Sequence, residues 1–132
     1  MRCRTVVAII CAASLLIPTA LAQQLTDNDR RFVVITAGAP VVALRCGAIA
    51  SMSAFPSVGD RFGVFDSVRI FKATAAAIAL IGHQAYEKQD LIPEVTRLVE
   101  KFLIVIDYEL ASGDHATCER YLKIFRAAGA VQ

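Results

Sequence analysis

The chain predicts an all-α fold: a small antiparallel bundle of four to five helices closed by one disulfide. Three observations lead there. Apolar residues recur at helical spacing in several segments, most clearly from Val95 to Leu110. Breakers at Gly38–Pro40, Phe55–Gly59, Gln89–Pro93 and Ser112–Asp114 divide the chain into pieces of helix length. Two cysteines, Cys46 and Cys118, stand in a chain that reads as exported, where an even pair forms a disulfide.

Export is read from the first 22 residues. Arg2 and Arg4 make a short positive start, and Val6 to Ile17 is apolar. Pro18 breaks that run, and Ala20-Leu21-Ala22 supplies the small residues of a cleavage site. This order of charge, apolar stretch and small residues is the secretory pattern. Residues 1–22 are therefore expected to leave as a signal peptide, and 23–132 to form one helical domain that begins at Gln23. The alternative is an uncleaved anchor, but Thr5–Ala22 lies near the lower limit of about 17–25 residues that span a bilayer and contains a proline. No stable membrane anchor is expected after cleavage.

Cleavage changes the charge. Removing Arg2 and Arg4 from the 14 basic residues leaves 12, equal to the 12 acidic residues. A neutral domain lacks the basic footprint of a nucleic-acid binder and the charge excess that draws a protein to anionic lipid. Cys3 and Cys11 leave with the same segment, so Cys46 and Cys118 are the only cysteines of the mature chain. No C-x-x-C occurs, which argues against a thioredoxin-type site and c-type haem.

The first helical segment starts near Thr26, with Thr26 and Asp29 as a partial capping box. It is expected to kink or restart at Pro40. Val41, Leu44, Ala48, Ile49, Met52 and Phe55 then continue the helical spacing, and Ala43, Gly47, Ala50, Ser51 and Ala54 form a small face suited to close packing. The second helix is expected from Ser57 or Asp60 to about Lys88. Val64, Val68, Phe71, Ala75, Ile78 and Ala85 are its apolar stripe.

The third helix, capped by Asp90 with Pro93 in its first turn, has the strongest pattern. Val95, Leu98, Val99, Phe102, Leu103, Ile106 and Leu110 line one side, while Ile104, Val105 and Tyr108 add apolar surface on the other. A helix apolar around most of its girth is expected at the centre of a bundle. Gly113 stops it. The last helix begins near Asp114 and directs Cys118, Tyr121, Leu122 and Phe125 inward, so Cys118 can meet Cys46.

Chemistry-bearing motifs are scarce. His83 and His115 belong to no H-x-x-x-H, H-E-x-x-H or E-x-x-H pattern, and read as capping or surface residues. Met52 with His115 is the only methionine–histidine combination on helices that haem iron accepts, and nothing local marks it out. G-x-S-x-G is absent, and Gly59-Asp60-Arg61-Phe62-Gly63 lacks the spacing and lysine of a phosphate loop. Asp107 and Glu109, two apart on a helix, point away from each other. Glu94, Arg97, Glu100 and Lys101 read as a solvated face. No metal, cofactor or catalytic residue is assigned.

These features point to an exported, non-catalytic helical module that binds another protein, as an inhibitor, immunity protein or chaperone does. The candidate partner-binding patch is Ile104, Val105 and Tyr108. The alternatives are a carrier of a small apolar ligand in the bundle core, and an enzyme with a dispersed site. A dense core with an exposed patch favours the module, and an internal cavity favours the carrier.

Overall fold

In a computed structural model, residues 24–132 are described. The expected signal peptide, its cleavage site, Cys3, Cys11 and Gln23 lie outside them. The described residues form five α-helices: α1 (Asp27–Cys46), α2 (Phe55–Arg61), α3 (Ser67–Ile81), α4 (Pro93–Leu110) and α5 (His115–Ala127).

α1 begins as its sequence directs. The Thr26 side chain accepts from the Asp29 amide, and the Asp29 carboxylate accepts from the Thr26 amide. The helix passes through Pro40 without ending, and stops instead at Gly47, whose φ of 69° is the left-handed conformation glycine adopts at low cost. The expected continuation to Phe55 does not form. Residues 49–51 instead pair with the chain's last residues through an antiparallel bridge between Ala50 and Val131. Ile49 and Gln132 exchange both backbone hydrogen bonds, at 3.1 and 2.8 Å. Ala130 and Val131 are thereby buried.

The central helix is α1, not α4 as the sequence suggests. Phe32, Val33, Ile35 to Ala39, Val42 and Ala43 are all buried. Its small residues make this possible, at Ala37-Gly38-Ala39 rather than along the expected face from Ala43 to Ala54. A methyl group placed on Gly38 would lie 2.6 Å from Cζ of Phe125 and 2.8 Å from Cε1 of Phe102. The α4 and α5 rings thus rest directly on the α1 backbone.

The expected long second helix is two helices. α2 buries Phe55 and Val58, and the Phe55 ring stacks on Phe71 of α3 at 5.9 Å. α3 is capped by Asp66 and ends at Ile81, seven residues before the expected limit. Its buried face is Ile70, Ala73, Thr74, Ala76 and Ala77, while Val68, Ala75 and Ala85 of the expected stripe are exposed. His83 follows with a φ of 55° in the turn that closes the helix.

α4 starts at Pro93 behind Ile92, which offers no side-chain cap; Asp90 closes the preceding 3-10 turn instead. Glu94 pairs with Arg30 of α1 at 2.9 Å, not along its own helix. α5 is capped by Asp114, which accepts from the Thr117 amide and hydroxyl. The Thr117 hydroxyl holds that carboxyl below its ordinary pKa. Arg30–Glu94 near the starts of α1 and α4, and Arg45–Asp107 near their ends, show that these two helices run parallel. α5 runs antiparallel to both. Cys46 at the end of α1 is joined to Cys118 in the first turn of α5, with 5.4 Å between Cα atoms.

Candidate functional site

α4 is amphipathic, and being peripheral it shows its second apolar side to solvent. Val95, Val99, Ile106 and Leu110 are buried against α1 and its neighbours. On the reverse side, Ile104, Val105 and Tyr108 are 72%, 50% and 84% exposed. The position of α1 decides this: once the central place is taken, α4 has one buried face only. Ile104 and Tyr108 lie one turn apart on the same side of the helix.

The patch extends onto α1. Val41, Ile81, Leu103 and Ile104 line an open groove of about 650 Å³ between the second halves of α1 and α4 and the end of α3. Leu44, one turn on from Val41, is 83% exposed. Charged groups of both signs border the apolar strip: Glu100 and Lys101 in the groove wall, and the Arg45–Asp107 pair at 3.0 Å. A surface ion pair this exposed contributes about 0–1 kcal/mol to stability, so it orients the rim more than it secures the fold. An apolar centre inside a mixed-charge rim is the usual anatomy of a protein–protein contact surface.

On the other flank of α4, Glu109 receives two donors from α5. Arg120 Nη2 lies 3.1 Å from Glu109 Oε2, and the Tyr121 hydroxyl donates to that same oxygen. The Arg120 guanidinium also stands 5.5 Å from the centre of the Tyr121 ring. Burial, and then the bond to Glu109, push the Tyr121 phenol up to about 12 from its ordinary 10. The cluster fastens the α4–α5 seam. Its effect on stability has a definite sign. The folded state holds the phenol proton more tightly than the unfolded state, so the stabilisation is complete below pH 10. It is lost as pH rises from 10 toward 12, where the unfolded chain ionises first. Ultraviolet tyrosinate titration should show one phenol ionising near 12, and Tyr121→Phe should remove that step. Absence of any transition near 12 would contradict this arrangement.

The histidines are not brought together. His83 is exposed beyond α3. His115 lies 3.1 Å from Glu119 one turn along α5, both largely exposed on open surface. That pair is an H-x-x-x-E spacing, which matches none of the histidine or zinc-binding patterns. Met52 lies in the short 3-10 turn before α2 and not on a long helix, so Met52 and His115 are not a pair of helical ligands. Among the described residues, no group of three or more His, Cys, Asp or Glu side chains is placed to hold a metal ion. Nor is any described helix long and apolar enough to cross a membrane.

Comparison with protein-family models, with curated proteins and with solved structures finds no match for this chain.

Proposed function

We propose that the mature chain is an exported, non-catalytic binding module that docks another protein on the outer face of α4. One observation carries this reading: Ile104 and Tyr108, one turn apart, are 72% and 84% exposed on a helix whose other side is fully used by the core. Side chains of that size left in water gain the most from being covered. The open groove beside them and the mixed-charge rim suit a protein partner presenting an apolar helix or loop.

Two further facts support the module over its alternatives. Rings packed onto the Gly38 backbone leave no room even for a methyl group at the centre of the bundle, which disfavours a ligand carried in the core. The histidines stand on open surface, away from any convergence of acid, base and nucleophile such as catalysis requires. The Cys46–Cys118 bond supports an oxidising destination, in keeping with a signal peptide at residues 1–22.

The test is capture of a partner from the native cell envelope by the disulfide-bonded chain, followed by affinity measurements with Tyr108→Ala. Aromatic residues at the centre of an interface commonly contribute about 2 kcal/mol or more. Tyr108→Ala should weaken binding at least tenfold and leave the melting temperature nearly unchanged. An unaltered affinity would remove the α4 face from the interaction.

A further inference from the structure

A second surface lies at the opposite end of the bundle. There the starts of α1, α3 and α4 gather around an open cavity of about 550 Å³. That volume is within the range of roughly 300–1,000 Å³ typical of small-ligand sites. Its apolar lining is Leu25, Phe65, Ile70, Leu91 and Ile92. Phe65 is 100% exposed, the most exposed large apolar side chain among the described residues. It sits at the cavity with no protein atom covering it.

The charges around the cavity are unequally used. Three carboxylates line it; only Glu94 is paired with a cation, while Asp29 and Asp66 are held by backbone amides, which bond them without neutralising their charge. Asp29 accepts from the Thr26 amide, Asp66 accepts from the Arg69 amide and from no cation, and Glu94 receives both Arg30 and the Leu25 amide. The two arginines in the same wall, Arg69 and Arg97, have no acidic side-chain partner among the described residues. Guanidinium groups bind carboxylates in a planar, two-bond geometry. The cavity therefore offers two free cationic forks beside an apolar floor.

We propose that this cavity binds a small carboxylate-headed amphiphile, such as a medium-chain fatty acid. Its head would lie between Arg69 and Arg97, and its tail over Leu25, Ile70, Leu91 and Phe65. The site is distinct from the α4 face proposed for the protein partner, because none of Ile104, Val105 or Tyr108 lines it.

Calorimetric titration of the disulfide-bonded chain tests this with three probes. Decanoate below its micelle concentration carries head and tail, decyltrimethylammonium carries the tail under the opposite charge, and acetate carries the head alone. Decanoate should saturate a single site, and the other two should bind at least tenfold more weakly. Arg69→Gln combined with Arg97→Gln should lower decanoate affinity at least tenfold, and Phe65→Ser should lower it several-fold. Both arginines are exposed, so the melting temperature should hold. Tyr108→Ala should leave decanoate binding unchanged. The proposal is overturned by any of four results: no saturable decanoate binding, equal binding of decyltrimethylammonium, equal binding of acetate, or indifference to the arginine substitutions. Loss of decanoate binding in Tyr108→Ala would place the ligand on the α4 face and overturn it too.

Discussion

Reduction of the Cys46–Cys118 bond should lower the melting temperature by about 15 °C or more. The two cysteines are 72 positions apart, so the bond closes a loop that spans most of the domain. Loop-closure entropy for that length corresponds to about 4 kcal/mol. Domains of this size have about 5–15 kcal/mol of net stability, and near the melting point about 4 kcal/mol corresponds to a shift of that order. The location adds a second expectation. α5 is held at its start by the disulfide and farther along by Tyr121 and Phe125, its two buried side chains. Amide exchange in the reduced protein should therefore rise first in the opening turns of α5. The double variant Cys46→Ala/Cys118→Ala should behave like the reduced protein. A shift below about 3 °C, or two free thiols in the native exported protein, would show that the bond does not hold the fold.

Gly38→Val should be nearly as damaging, at about 3 kcal/mol. Even the first added carbon would stand 2.6 Å from Cζ of Phe125 and 2.8 Å from Cε1 of Phe102. The Phe125 ring is held in place, being 2% exposed and packed at 6.3 Å from the Tyr121 ring. Overpacking of a dense core typically costs about 1–3 kcal/mol, and valine adds two further methyl groups to the clash. Gly38→Ala is the milder probe, because better helix propensity returns about 1 kcal/mol. Its cost should fall when Phe125→Leu is introduced as well, with a coupling of at least about 1 kcal/mol in the double-mutant cycle. Denaturant melts of the four proteins measure this. Additive effects would mean that Phe125 does not rest on Gly38.

What the sequence makes legible follows from how strongly each segment constrains its surroundings. α5 is readable because Cys118, Tyr121, Leu122 and Phe125 recur on one side of the helix, and Asp114 caps it. The buried stripe of α4 is readable for a similar reason. Which helix occupies the centre is not. From Phe32 to Ala43, α1 is apolar on nearly every side, so no period reveals its role, and the β-branched run imitates a strand. α4 competes for the same place on composition and loses it because α1 carries the small residues, above all Gly38. Alanine explains the misassigned face of α3. Ala75 is exposed while Ala73 and Ala77 are buried, and alanine is equally suited to both.

The candidate sites divide in the same way. The surplus of apolar residues at Ile104, Val105 and Tyr108 is visible in the sequence, but their exposure depends on α1 having taken the centre. The cavity at the other end has no local signature. Leu25, Phe65, Ile70 and Leu91 come from separate parts of the chain, and only the parallel arrangement of α1, α3 and α4 brings them together. The pairing of Ala50 with Val131 is hidden for a related reason, since a bridge this short has no periodicity to detect.

A photoreactive side chain on the outer face of α4 would trap a protein partner docked there. A benzophenone-bearing residue at Tyr108 should, on irradiation in the native cell envelope, give one defined adduct with another protein. The same group at Lys123, exposed on α5 and outside the proposed face, should not give that adduct. An adduct specific to position 108 is the result expected. No adduct at 108, or the same adducts from both positions, would contradict the proposed docking face.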